Sequence, residues 1–117
     1  MKLRPEARAA EDAAADFLRR QGYKIAQRNV TTPVGEIDIV ALDDGMVVFV
    51  EVKSRASDDY GPPEVAVDRR KRAKLRRVAQ IYLERHKLLD TPCRFDVVAL
   101  TGTPDEGWRI ELFQDAF

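Results

Sequence analysis

Between Glu36 and Lys53 the chain reads EIDIVALDDGMVVFVEVK, two β-rich runs on either side of Asp44-Gly45. An Asp-Gly pair flanked by such runs is a strong short-range signal for a two-residue hairpin turn. With Asp44 and Gly45 at the turn, Asp43 pairs with Met46 and Leu42 with Val47. Counting back places Asp38 opposite Glu51 and Glu36 opposite Lys53. Alternation then gives one face to Asp38, Val40, Leu42, Val47, Phe49, Glu51 and Lys53, and the other to Ile37, Ile39, Ala41, Val48, Val50 and Val52. Both faces are apolar along most of their length, so the hairpin must be covered on both sides.

The remaining elements follow from that requirement. Pro5 to Gln21 reads as a helix that Gly22 stops, with Ala7, Glu11, Ala14, Ala15 and Leu18 on one face. A short strand is expected over Tyr23–Arg28, followed by a turn-rich Thr31–Gly35 connection. A long helix is expected from Pro63 to His86, with Leu75, Val78, Ala79 and Tyr82 buried. Two strands, Arg94–Leu100 and Trp108–Phe113, are joined through Thr101–Pro104. The fold class is α/β, a mixed β-sheet with flanking helices in the order αβββαββ, forming a single domain over residues 1–117.

Composition excludes more than it selects. Lys plus Arg equals Asp plus Glu at 20 each, giving no net charge, so any nucleic-acid binding must come from local asymmetry. Cys93 and His86 are the only residues of their types, which leaves no support for an intrachain disulfide, a cysteine or histidine zinc site, or Ser–His–Asp chemistry. The charged N-terminal stretch lacks the apolar core of a signal peptide and no run is long enough to span a membrane, so a cytoplasmic protein is expected.

Two carboxylates and a lysine stand in one corner of the covered sheet. Directly opposed residues have β-carbons roughly 4.5–5.5 Å apart, where like charges destabilise, and partial burial raises the cost. A hard dication with oxygen ligands offsets both. Asp38 and Glu51 are therefore the candidate metal ligands, with Lys53 placed to neutralise charge or activate water. The plainer alternative is a Glu36–Lys53 salt bridge with Asp38 and Glu51 solvated at the sheet end. Glu11, on the apolar face of the first helix, either completes the ligand set or reaches out to water.

The string Asp38, twelve residues, Glu51-Val52-Lys53 resembles the D…(D/E)xK signature of the restriction-endonuclease-like nuclease superfamily. Ala10-Glu11, GEIDIV, VFVEVKSR and RFDVV more narrowly resemble the YraN-like family of small bacterial proteins, close in plan to archaeal Holliday-junction resolvases. Ile37 stands where the superfamily often has proline. The resemblance implies a restriction-endonuclease-like fold and a DNA endonuclease using Mg²⁺ or Mn²⁺ on branched or otherwise structured substrates. Asp38, Glu51, the Val52 carbonyl and Glu11 match its metal site, and Lys53 its catalytic lysine. Resolvase-like relatives imply a homodimer.

Seven cations occupy the nine positions from Arg69 to Arg77, leaving a stripe only at Ala73, Leu75 and Val78. A phosphate backbone is the expected ligand, through Arg69, Arg70, Lys71 and Lys74, with Lys71 pointing inward and Arg55 adding a cation beyond Lys53. A solvated helix face is the alternative. Arg94 and Asp96 either buttress the site or form a structural pair. Tyr60 and Gly61 are placed to touch substrate, while Tyr82 and Trp108 read as core. A non-catalytic nucleic-acid-binding module and a protein adaptor are the rival functions.

Overall fold

A computed structural model describes residues 4–57 and 67–117. The elements are α1 (Pro5–Arg20), β1 (Lys24–Thr32), β2 (Gly35–Asp43), β3 (Met46–Arg55), α2 (Arg69–Arg85), β4 (Cys93–Thr103) and β5 (Gly107–Phe113). This is the expected αβββαββ order. The five strands form one sheet in sequence order, antiparallel except for the parallel pair β3–β4, which α2 joins by crossing over. The mixed α/β architecture is consistent with a restriction-endonuclease-like fold.

Asp44 and Gly45 both take positive φ, 50° and 83°, as the tight hairpin turn demands. The register is the expected one from Asp43–Met46 to Ile39–Val50. Helices cover both faces of the hairpin. Val40, Val47 and Phe49 pack with Leu75, Val78, Ala79, Tyr82 and Leu83 of α2, while Ile39, Ala41, Val48 and Val50 pack with Ala10, Ala14, Ala15 and Leu18 of α1. Each large aliphatic side chain buried in this way contributes roughly 1.5–3 kcal/mol.

Several boundaries depart from expectation. Strand β1 runs on to Thr32, because Thr32 Oγ1 accepts the Val34 N–H and donates to the Gly35 carbonyl, compressing the turn to Pro33-Val34. Helix α2 begins at Arg69 rather than Pro63, with the Asp68 carboxylate capping the Lys71 N–H; Pro63, Tyr60 and Gly61 lie outside the described residues. Strand β4 continues through Thr101–Thr103, so the final turn is shorter than expected. Ala10 rather than Ala7 is buried on α1, and Ala73 of α2 is exposed.

Ile37 also departs from simple alternation. It packs with Val30 on the α2 side, not with Ile39 on the α1 side. In β1, Asn29 sits between the Arg28–Ile39 and Val30–Ile37 pairs, opposite Asp38, with φ of 53°. Asparagine tolerates this left-handed conformation better than most residues, and the local twist re-aims the strands at Asp38.

Candidate functional site

The site forms where the β2–β3 ladder stops. Beyond Ile39–Val50 the Val52 N–H is taken by Asp38 Oδ2 at 2.8 Å, so a side-chain carboxylate replaces a backbone acceptor and opens the hairpin's end. Asp38 and Glu51 border a cavity of about 380 Å³ together with Gly35, Glu36, Lys71, Lys74 and Leu75. Asp38 also borders a second cavity, of about 70 Å³, on the α1 side with Ala7, Ala10, Glu11, Val52 and Ser54. It is the shared wall between them.

Electrostatics divide the four charged groups at this corner. Burial, reinforced by the charge of Glu51 and a hydrogen bond with it, pushes the Asp38 carboxyl up to about 7, although the Val52 N–H and Lys71 pull the other way. Lys71 Nζ lies 3.5 Å from Glu51 Oε1, and the Glu51 side chain is only 11% exposed. Burial, then contact with Lys71, lowers the Lys53 amine. Burial also acts against charge on Lys71, but its hydrogen bond with Lys53 and the charges of Glu51 and Asp38 outweigh this and raise it. Lys71 therefore keeps its proton while Lys53 is driven toward the neutral amine.

Asp38 is thus not solvated at the sheet end, and Lys53 meets Lys71 rather than Glu36. The Glu36–Lys53 opposition fails because the ladder ends before reaching it. Glu11 is 3% exposed and does not reach water. Its Oε1 accepts from Arg28 Nε at 2.7 Å and Asn29 Nδ2 at 3.0 Å, while Arg28 also bonds Asp12 at 2.6 Å. Glu11 and Asp38 meet only across the small cavity.

Among the described residues no group of three or more His, Cys, Asp or Glu side chains forms a metal-binding cluster. The donor chemistry nonetheless fits a hard dication. Asp38 and Glu51 are adjacent, largely buried oxygen donors whose mutual repulsion is opposed by Lys71, Lys53 and the Val52 N–H yet still leaves the Asp38 carboxyl raised. Two carboxylates with solvent completing the shell suit Mg²⁺ or Mn²⁺ better than a protein-only cage.

The basic run of α2 splits into three groups. Lys71 turns inward to Glu51. Arg72 and Arg76 lie over aromatic rings, with guanidinium carbons 5.4 and 5.5 Å from the Phe117 centroid, and Arg76 also 5.8 Å from Phe95. Arg69, Arg70, Lys74 and Arg77 are exposed. Arg55, at the end of β3 beside Thr101, is half-buried and borders a separate hollow with Glu6, Trp108 and Pro104.

Arg94 and Asp96 belong to a different network, at the hairpin-turn end of the sheet. The fully buried Asp96 accepts from Tyr23 Oη, Arg94 Nε and the Asp115 N–H, and Arg94 also bonds Asp43. This is a structural pair: although Asp96 lies opposite Val50 in the register, its partners are Tyr23, Arg94 and Asp115 rather than Asp38, Glu51, Lys53 or Lys71. His86 caps the end of α2 and packs on Tyr82, which is core, as Trp108 in part is. Residue counting missed Glu36 and Gly35 as cavity walls and Asn29 as a Glu11 partner. The glycine of GEID was the available signal for the first two; Asn29 offered none.

Comparison with known proteins follows the same span. The family model for the uncharacterised protein family UPF0102 matches residues 10–100, which contain Glu11, Asp38, Glu51, Lys53 and Lys71. A UPF0102 protein of Symbiobacterium thermophilum, STH1475, is 49% identical over 109 residues, covering 93% of this chain and 92% of its own length. Those of Syntrophus aciditrophicus and Syntrophotalea carbinolica are each 47% identical, covering 92% and 94% of this chain and 84% and 89% of their own lengths. No helix among the described residues is long and apolar enough to cross a membrane. By the extent of these matches, the chain belongs to the UPF0102 family.

Proposed function

We propose that this protein is a metal-dependent endonuclease of the restriction-endonuclease-like superfamily that hydrolyses phosphodiester bonds in DNA, branched or otherwise structured forms being its substrates. One observation carries the reading. A buried, mutually repelling Asp38–Glu51 pair opens on a cavity whose wall also presents Lys71, with Lys53 beside it as an amine driven toward neutrality. Asp38 and Glu51 would hold Mg²⁺ or Mn²⁺, with the Val52 carbonyl as a further donor and Glu11 joining from the α1 side. The bound ion supplies Lewis acidity and neutralises charge on the phosphate.

The chain's own groups supply the rest. Lys53, with a lowered proton affinity, accepts the proton from the water that attacks phosphorus. Lys71 keeps positive charge beside Glu51 and stabilises the negative charge that builds on the phosphate. The walls of α2 and the β1–β2 turn confine the reacting water. A homodimer would supply one such site to each of two strands.

A non-catalytic nucleic-acid-binding module is favoured by one feature: Glu11 and Glu51 already have cationic partners, Arg28 and Lys71. A protein adaptor using the basic helix is the remaining alternative, marked by partner binding without DNA affinity. Incubation with linear, flapped, forked and four-way DNA in Mn²⁺, beside Glu51→Ala and Lys53→Ala, separates them. Cleavage by the wild type alone is expected. Cleavage that survives both substitutions, or never appears, defeats the nuclease reading, and metal-independent binding without cleavage supports the module.

A further inference from the structure

Helix α2 carries its exposed cations in a pattern that the site itself does not use. Arg70, Lys74 and Arg77 stand at i, i+4 and i+7, one face of the helix. With Val34 of the β1–β2 turn and Ala73 they enclose a groove of about 350 Å³. Lys74 also borders the carboxylate cavity, so groove and site are continuous through one side chain. That side chain is held in place: a Cβ at Gly35 would lie 2.9 Å from Lys74 Cε and 3.3 Å from Val78 Cγ2, so the lysine stem packs directly on the bare glycine. The neighbouring cations Arg72 and Arg76 are instead committed to the rings of Phe95 and Phe117.

We infer that this groove is a track for the sugar–phosphate backbone of one DNA strand, leading it to Asp38 and Glu51 without reading its bases. The proposal rests on the nuclease reading and adds the path and the mode of recognition. Charge complementarity selects the occupant. From Arg70 to Arg77 the helix advances about 10 Å at 1.5 Å per residue. The three cations are set about one helical turn apart, a spacing their long side chains can match to successive phosphates of one strand. The floor is apolar and small, Val34 and Ala73, which lets the backbone approach closely. Among the described residues the groove is lined by cations and two small apolar side chains, with no Asn, Gln, Asp or Glu, and its cations are at the spacing of a backbone contact rather than paired on one base edge. With Arg70, Lys74 and Arg77 spent on phosphates rather than on guanine edges, binding is sequence-independent and strongly salt-dependent.

The test is binding of labelled duplexes of two unrelated sequences, in EDTA, across a potassium chloride series. Variants are the triple Arg70→Ala/Lys74→Ala/Arg77→Ala, the single Ala73→Phe, and a charge-matched control, Arg20→Ala/Lys24→Ala/Arg85→Ala. Circular dichroism checks the fold of each. The groove triple should weaken binding more than tenfold and flatten the slope of log affinity against log salt by about 2–3, since each lost phosphate contact removes about 0.7–0.9. Ala73→Phe keeps every charge and should weaken binding by filling the floor. The control triple and Arg72→Ala/Arg76→Ala should retain most of the slope.

Equal losses in the groove and control triples would reduce the effect to net charge and overturn the track. So would a tenfold preference between the two sequences, or no DNA binding by the wild type. Cleavage in Mn²⁺ by the groove triple with an unchanged KM defeats the track alone. Wild-type binding without cleavage on any substrate defeats the nuclease reading and leaves the track standing.

Discussion

Replacing Asp38 by asparagine should stabilise the metal-free protein at alkaline pH and remove its response to divalent cations. The side-chain amide of that variant keeps an oxygen to accept the Val52 N–H and loses the charge that burial and Glu51 oppose. The folded-state carboxyl of Asp38 is raised from 3.8 to about 7, so the folded form holds its proton where the unfolded chain has released it. The penalty is absent below the unfolded pKa, grows as pH rises between the two values, and levels off above about 7. At 1.36 kcal/mol per pKa unit it reaches about 4 kcal/mol near pH 8, more than half of which develops above pH 5. Urea unfolding in EDTA at several pH values measures it. Between pH 5 and pH 8 the wild type should lose about 2–3 kcal/mol more than Asp38→Asn. Parallel pH profiles, or a variant less stable than wild type at pH 8, would refute the electrostatic account.

Lys71→Met should tighten Mn²⁺ binding several-fold by calorimetry, because the ammonium competes with the ion for Glu51; unchanged or weaker affinity would count against a metal at that carboxylate. Gly35→Ala should cost about 1–3 kcal/mol, since φ is 151° and the new methyl meets the Lys74 stem and Val78, and a melting temperature within a degree of wild type would contradict it. Arg94→Met should cost about 3–5 kcal/mol by stripping the fully buried Asp96 of its charged partner, read from urea unfolding. That loss should leave metal affinity unchanged, because the network bonds to Tyr23, Asp43 and Asp115 and to none of the candidate metal ligands.

The hairpin and its register were legible because a two-residue Asp-Gly turn leaves few ways to pair the flanking strands, and burial on both faces penalises every slip. The buried stripe of α2 was legible from its helical spacing. What escaped were competitions between local and non-local partners. Asp38 wins the Val52 amide from the backbone, so the ladder ends earlier than counting predicts and Glu36 never meets Lys53. Ile37 packs in the core opposite to that of Ile39, across from a strand where Asn29 takes a left-handed conformation, which alternation alone cannot foresee. Glu11 was ambiguous because its partners, Arg28 and Asn29, lie on another element. The α2 cations looked uniform in sequence, and only packing against Phe95 and Phe117 divides them.

The hydrogen bond from Val52 to Asp38 places a spectroscopic probe at the centre of the site. An amide proton held 2.8 Å from a carboxylate oxygen, donor to acceptor, is strongly deshielded while that carboxylate is ionised. Protonation of Asp38, or withdrawal of its electron density by a cation, would move the resonance upfield. A single cross-peak in a nitrogen–proton correlation spectrum then follows the titration of the Asp38–Glu51 pair from the Asp38 side. The same peak, followed during addition of Mg²⁺, distinguishes an ion that engages Asp38 from one that binds elsewhere on the protein. Because the reporter is a main-chain group, it requires no label, substrate or turnover beyond isotopic nitrogen.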